Sequence, residues 1–381
     1  MKLPSVNSCV DARTLGAKCD ECPLNGYTPV LPQVNANASM IVCGEAPGKE
    51  EVIQGRPFVG ASGWFLDRQL VALGSSRSAM HVTNALLCRP PKKFSDLQWK
   101  QALLCCRPRL DAELELVKAT SIAAFGGKAA FTLTDPTGPF NKPCSRDKIF
   151  SWRGAPLQSG RFAVMPSLHP AFVLRAPHYK EVFKIDLKRA LYPSKPWVWP
   201  KIVVTPGAEM ISALEEILQS NQPIGVDIEN MGDPVAHARI RCIGVAIDTL
   251  AVSVPTELNP TEEMGILSKI LASSNVKVMH NGQHDLLGLR DWEWVVNGVV
   301  FDTLLAHVVV SSLLPHDLGF VASVFFDAPR WKTLFKVEAE DRGLAMFVTK
   351  PIEDLCKYNA CDAWMQRILK DQLEPFLEGT L

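Results

Sequence analysis

The sequence predicts two α/β domains in succession, and three observations carry that expectation. The chain has 381 residues, of which 47% are hydrophobic. That is enough for two cores, since domains of roughly 100–200 residues are usual. Three prolines fall between Tyr192 and Pro200, where they block a helix and cannot complete a strand ladder, so this stretch reads as a linker. On both sides of it, short apolar runs that end in glycine or proline alternate with segments of helical spacing.

In the first half the apolar runs are Met40-Ile-Val-Cys-Gly44, Ser121-Ile-Ala-Ala-Phe-Gly126 and Phe162-Ala-Val-Met-Pro166. Their rhythm predicts a parallel sheet with functional loops at the carboxyl ends of its strands. In the second half, Ile211–Gln219 has helical spacing, and β-rich runs follow at Ile224–Ile228, Ile240–Ile247 and Leu250–Val254. A helix, a short strand at Val276–Met279 and several helices complete it. No internal repeat or low-complexity segment interrupts either half.

The formal net charge of zero divides into opposite halves. Residues 1–200 carry 26 Lys and Arg against 15 Asp and Glu, whereas residues 201–381 carry 14 against 25. A basic half suits a polyanion, and an acidic half with a few inward carboxylates suits divalent cations. Neither a charged apolar leader nor an apolar run of about 18 residues is present, so a soluble cytoplasmic protein with no membrane partner is expected. The 11 cysteines are then read as reduced thiols rather than a disulfide framework.

Three motifs stand in order in the acidic half. Asp227-Ile-Glu229 ends an apolar strand, where alternation puts both carboxylates on one face. A pair of this kind is more often solvated surface. Asp285 lies near the start of the apolar helix that follows His280-Asn-Gly-Gln-His, a place that also favours an acid through the helix dipole. Tyr358 and Asp362 are four residues apart and therefore adjacent on one helical face.

The ordered set Asp-x-Glu, Asn-x-x-x-Asp and Tyr-x-x-x-Asp resembles the three exonuclease motifs of the proofreading domain of family A DNA polymerases. Phe301-Asp-Thr-Leu-Leu-Ala306 and Pro315-His-Asp-Leu-Gly-Phe-Val-Ala322 extend the resemblance between the motifs. It implies a ribonuclease H-like exonuclease domain over residues 202–381 that hydrolyses phosphodiesters with two Mg2+ or Mn2+ ions. By resemblance, Asp227, Glu229 and Asp362 hold the ion that activates water, Asp285 helps to hold the second, and Tyr358 orients the water. Hard cations want such carboxylate oxygens.

The basic half carries Gly44-Glu-Ala-Pro-Gly48, Gln54-Gly-Arg-Pro-Phe-Val-Gly60, Val82-Thr-Asn84-Ala-Leu-Leu-Cys-Arg-Pro-Pro91 and Leu168-His-Pro-Ala-Phe-Val-Leu-Arg175. A glycine-rich turn after a strand is a common phosphate-facing loop, and one His before proline is more often structural. Together the motifs resemble the family 4 uracil-DNA glycosylases, the iron–sulfur branch of that superfamily. The resemblance implies a uracil-DNA glycosylase-like parallel-sheet domain over residues 1–195. In it Phe58 stacks on uracil, Asn84 reads the base edge and His169 stabilises the departing uracil anion. Either Glu45 or Glu51 positions water or counters the cationic sugar; the sequence leaves open which. Cys19, Cys22, Cys88 and Cys106 match the family's cluster ligands, with Cys105 as the alternative to Cys106. Thiolates in that number suit zinc or an iron–sulfur cluster, and the resemblance favours [4Fe–4S].

Two positions depart from the family pattern. Val52 stands where an acid is usual, and Lys93 replaces a polar residue, often Asn. Both changes make the neighbourhood more positive, a shift that either strengthens DNA contact or blunts catalysis. The expected function combines uracil excision with metal-dependent 3′-5′ digestion of DNA, on single strands or 3′ ends. A phage-like origin, a bacterial or phage-infected cell and a separate DNA polymerase partner are expected with it. One rival makes the first half a non-catalytic DNA-binding iron–sulfur module that tethers the nuclease; another gives the nuclease RNA ends.

Overall fold

The computed structural model describes residues 9–134, 148–231, 239–331 and 351–378. The chain divides into two compact units, Met1–Lys195 and Pro196–Leu381, and the division falls inside the proline-rich stretch. That stretch is more than a linker. Trp197 and Trp199 pack on Trp364, and Trp199 also on Trp331, so these residues belong to the core of the second unit. No helix among the described residues is long and apolar enough to cross a membrane.

The first unit is built on a five-stranded sheet in the order β2-β1-β3-β5-β4. β1 (Met40–Gly44), β2 (Met80–Asn84), β3 (Ser121–Phe125) and β5 (Phe162–Ser167) run parallel. The hairpin strand β4 (Leu157–Ser159) is antiparallel to β5 at the edge. β1, β2 and β3 are buried along their whole length, which explains why β1 and β3 read as unbroken apolar runs rather than alternating ones; β2 buries the polar His81, Thr83 and Asn84 as well. Four chain segments leave the sheet at the carboxyl ends of these strands, after Gly44, Asn84, Phe125 and Ser167. Helices α1 (Lys49–Gln54), α2 (Ala61–Ala72), α3 (Asp96–Glu115), α4 (Gly127–Thr134) and α5 (Lys180–Leu191) complete the unit's framework.

The second unit has a six-stranded sheet in the order β11-β10-β7-β8-β9-β6. The antiparallel trio β7 (Ile224–Met231), β8 (Arg239–Ile247) and β9 (Leu250–Val254) forms its centre. β10 (Lys277–Met279) and β11 (Val300–Asp302) extend it in parallel on one side, and β6 (Lys201–Val203) on the other. Alternation along β7 divides its side chains between two layers. Ile224, Val226 and Ile228 enter the core that includes residues of α6 (Ala208–Gln219) and α7 (Thr261–Ala272). Gly225 and the acids at 227 and 229 face the long helix α11 (Ile352–Glu378), which is reached after α8 (Gly282–Asp291), α9 (Thr303–Val310) and α10 (Leu318–Phe325).

Helix α11 lies unusually close to this sheet because two facing positions lack side chains. A Cβ on Gly225 would stand 1.9 Å from the Ala363 carbonyl oxygen, and one on Gly244 would stand 2.6 Å from Asn359 Oδ1. Gly244 is the cross-strand partner of Asp227, so the contact sits beside the acid. Gly225→Ala meets rigid backbone and cannot be relieved by a rotamer change. We expect it to destabilise the second unit by about 2 kcal/mol, the usual scale of overpacking, read as an earlier urea midpoint of that unit's transition.

Candidate active sites

In the second unit, a carboxylate oxygen from each of Asp227, Glu229 and Asp362 lies within 4.8 Å of the other two. Asp227 and Glu229 come from β7 and Asp362 from α11, so the close approach of helix and sheet creates the cluster. Hard oxygen donors in this number fit Mg2+ or Mn2+. Asp285 joins from α8, where the Ile228 N–H donates to its Oδ1 at 3.0 Å. The start of α8 is itself fixed by Asp302, whose carboxylate accepts from the N–H groups of Asn281 and Gly282 while capping α9. This gives the Phe301-Asp-Thr segment a role: it secures the helix that carries Asp285.

The cluster's electrostatics follow from packing like charges out of water. Burial, and then Asp362, Glu229 and Asp285, push the Asp227 carboxyl well above the usual carboxylate range. Asp285 is pushed up to about 7 by burial, against the Ile228 hydrogen bond. Burial and the three nearby carboxylates also keep the Tyr358 phenol protonated, with a hydrogen bond to Asp362. Three neutral donors answer the negative charge. Asn359 Nδ2 and Gln366 Nε2 each donate to Asp227 at 2.7 Å, and the Trp331 indole N–H donates to Asp362. Ser253 Oγ orients Asn359 from below, at 2.6 Å. Sequence reasoning did not single out Asn359, Gln366 or Trp331. Positions 355, 359, 362 and 366 share one face of α11, which was the available signal.

In the first unit, Glu45 and His169 line one cavity of about 430 Å3 at the carboxyl ends of the parallel strands. Arg89, Lys92, Lys128 and Arg175 line it too, together with Phe94, Trp99, Phe150 and Phe172. A concave, basic and aromatic surface suits a nucleotide. Phe58 stacks on His169, with ring centroids 6.0 Å apart and planes 19° from parallel. A Cβ on Gly44 would collide with both Phe58 and Asn84, which places those two side chains together over the end of β1. Of the adjacent pair Lys92 and Lys93, it is Lys92 that lines the cavity. Val52 lines a neighbouring cavity with Tyr27 and Arg89.

The two candidate acids have different surroundings. Glu51 is buried, and both its oxygens accept backbone N–H groups, from Gly48 and from Phe58. Glu45 accepts the Lys128 N–H and opens on the cavity beside His169. Phe58 has φ +52, a left-handed conformation that costs a bulky residue energy and persists only when its surroundings impose it. Here Glu51 holds its N–H, Arg77 Nη2 donates to its carbonyl at 2.8 Å, and Gly63 leaves room for that carbonyl. Arg77 and Gly63 support the Phe58 backbone in a way that pattern alone did not reveal.

His169 caps the short helix Pro170–Val173, and its Nδ1 accepts the Ala171 N–H at 3.1 Å. That bond assigns the ring proton to Nε2. Burial lowers the His169 pKa, against the pull of Glu45, so the ring is neutral near neutral pH. Cys19, Cys22, Cys88, Cys105 and Cys106 line a second cavity with Ala12, Ala17, Leu24 and Leu87. The Leu24 N–H points at Cys22 Sγ, and Arg109 Nη2 points at Cys106 Sγ, each at 3.4 Å. Converging thiols in an apolar cavity, two of them receiving N–H donors, fit a thiolate-ligated cluster.

The first unit thus carries a basic, aromatic pocket at its strand ends and the second a buried cluster of carboxylates. Residues 31–191 match the model of the uracil DNA glycosylase superfamily, and residues 202–378 match that of a 3′-5′ exonuclease. The type-4 uracil-DNA glycosylase of Thermotoga maritima is 34% identical over 161 residues, covering 42% of this chain and 79% of that protein. The Pyrobaculum aerophilum enzyme of the same name is 33% identical over 175 residues, covering 44% and 86%. The chain belongs to the type-4 uracil-DNA glycosylase family, with a 3′-5′ exonuclease domain fused behind. Among solved structures, the catalytic core of RRP6 from Trypanosoma brucei aligns at 19% identity and a TM-score of 0.39, over 49% of this chain and 50% of that one. RNase D from Escherichia coli aligns at 17% and 0.37, over 48% and 46%. The chain spans about half the length of each.

Two predictions follow from these geometries. Gly63→Ala would place its Cβ 1.7 Å from the Phe58 carbonyl oxygen and displace the stacking ring, so uracil release should fall by at least roughly 10-fold while 3′ digestion is retained. The second concerns a histidine pair in the nuclease unit, buried His307 and half-buried His316, whose Nδ1 atoms are 2.8 Å apart. Burial and then the neighbouring histidines depress His307 to about 4. The unfolded chain, with an ordinary histidine, therefore binds more protons between about 6.5 and about 4. The contribution is present above about 6.5 and is lost as pH falls through that window. His307→Gln should flatten the pH dependence of the second unit's denaturation midpoint there.

Proposed function

We propose that the chain removes uracil from DNA with its first unit and digests DNA from the 3′ end with its second. The observation that carries the first half is His169, whose backbone-fixed tautomer presents Nε2–H beside Phe58 and Glu45. When the glycosidic bond breaks, its electron pair goes to the base, and a neutral N–H donor aimed at the base oxygen stabilises that anion without first giving up a proton. Phe58 stacks on the extruded base, and Asn84 reads its edge. Glu45 is the acid that positions water for attack at the sugar carbon or counters its positive charge. Glu51 serves as a positioning residue for the strained Phe58. Cys19, Cys22, Cys88 and Cys106 would hold a [4Fe–4S] cluster.

For the second half, Asp227, Glu229, Asp285 and Asp362 would hold two Mg2+ or Mn2+ ions. Bound there, the ions supply Lewis acidity to the attacking water and the leaving oxygen. Tyr358 donates to Asp362 and keeps its lone pairs for a water O–H. Asn359 and Gln366 fix the Asp227 carboxylate. The proofreading-type motif order in a chain with a DNA-repair domain supports a DNA 3′ end as substrate, presented by a separate DNA polymerase in a bacterial or phage-infected cell.

An end-labelled uracil-containing single strand tests both activities. With EDTA present and alkali added afterwards, cleavage at the uracil position is expected, and His169→Ala should lower it by about 10²-fold or more. An intact strand from iron-loaded protein would sink the glycosylase reading and leave a DNA-tethered nuclease. With Mg2+ restored, a ladder from the 3′ end is expected and Asp227→Ala should abolish it; faster digestion of a matched RNA strand would overturn the DNA assignment.

A further inference from the structure

One stripe of helix α3 joins the cysteine cavity to the base-reading end of β2. Cys106, Arg109 and Glu113 are spaced three and four residues apart and therefore share a face of the helix. Arg109 is fully buried, with no exposed surface. Its Nη2 donates to Cys106 Sγ at 3.4 Å and to the carbonyl oxygens of Asn84 and Ala85 at 3.0 Å each. Its Nη1 donates to Glu113 at 2.6 Å and to Thr83 Oγ1 at 3.4 Å. Glu113 is held in turn by His81 Nε2 at 2.7 Å, from the same strand. The guanidinium thus spans a cluster thiol and three consecutive residues of the strand end, Thr83, Asn84 and Ala85.

This strand end is also tied to the catalytic loop. The Ala85 and Leu86 N–H groups donate to the Gly44 and Glu45 carbonyl oxygens at 2.8 and 3.0 Å. A shift of the Arg109 fan would therefore move Asn84 and the backbone of Glu45 together. A buried cation with this many acceptors is costly to desolvate and tolerates little displacement. A lysine at this position could not span the acceptors, because an ammonium is a point donor whereas a guanidinium is a rigid fork.

We propose that Arg109 is a positioning residue for uracil recognition that couples the cysteine-bound cluster to Asn84, so that the state of the cluster is felt in the base pocket. The coupling is carried by hydrogen bonds from one guanidinium to Cys106 Sγ and to the Asn84 and Ala85 carbonyls. A cluster that withdraws Cys106 from Arg109, through loss of iron or exchange of the ligand, loosens the strand end that reads the base. The inference rests on the reading of this unit as an iron–sulfur uracil glycosylase.

The test uses the full chain carrying Arg109→Lys, which keeps a cation beside Glu113 but removes the fork. The expected result is an undiminished iron content together with three changes. Uracil excision from a single strand falls by roughly 10-fold in kcat/KM, the scale seen when outer ligand supports are removed; free uracil inhibits more weakly by a similar factor; and deuterium uptake rises in the peptide covering residues 83–87. Digestion of 3′ ends in Mg2+ stays as in the unchanged chain. Arg109→Gln combined with Glu113→Gln removes the charge pair without leaving one partner unpaired, and it should show the same uptake change if the single variant folds poorly. Iron-loaded variants whose uptake, uracil inhibition and excision match the unchanged chain would overturn the proposal. So would excision that falls only in proportion to lost iron, because Arg109 would then secure the cluster and nothing more. If the unchanged chain releases no uracil, the glycosylase reading fails by itself, and deuterium uptake still decides whether Arg109 links the two sites.

Discussion

Placing four carboxylates against an apolar sheet is the constraint around which the second unit is organised. Each carboxylate would ionise readily in water, whereas in the fold burial and like charge make Asp227 and Asp285 resist it. Among the described residues, three of these acids receive neutral donors: two side-chain amides on Asp227, an indole on Asp362 and a backbone N–H on Asp285. A permanent cation among them would compete with divalent ions for the same oxygens, whereas an amide orients a carboxylate without neutralising it. The two glycines beneath α11 are part of the same solution, since they bring Asn359 and Asp362 within reach of β7.

The first unit answers the opposite electrostatic problem. It buries a cation, Arg109, and meets its two terminal nitrogens with a carboxylate, carbonyls, a hydroxyl and a thiol. Its base pocket is assembled under strain at Phe58 rather than under charge. In both units the groups nearest the chemistry are held by residues one step removed, which is how a side chain on a loop or strand end acquires the precision that recognition needs.

Much of this was legible in the chain. Strands buried on both faces read as continuous apolar runs, so β1, β3 and β5 could be placed, and the β7–β9 trio showed through its β-branched residues. The short edge strands β4, β6 and β11 have 3 residues each and too little pattern to separate from turns. Trp197 and Trp199 read as part of a linker because the prolines around them dominate local pattern, whereas their destination is a tertiary aromatic cluster. At the sites, residue types that bear chemistry were visible as motifs. Their supports were not, because Arg77, Arg109 and Gln366 act on residues 19, 25 and 139 positions away in sequence. The choice between Glu45 and Glu51 likewise needed the fold, since only three-dimensional packing assigns Glu51 to the Gly48 and Phe58 amides.

The bond from the Ala171 N–H to His169 Nδ1 has a consequence for how this pocket tolerates change. Many histidines of this kind take their tautomer from an aspartate or asparagine, which one codon change can delete. Here the information is written in the main chain, where nearly every residue at position 171 would supply the same N–H. Among the described residues, the side chain packed on the ring is the apolar Phe58, which cannot set a tautomer. Proline alone erases the instruction at that position, so the proton's address is protected by the genetic code's own narrowness.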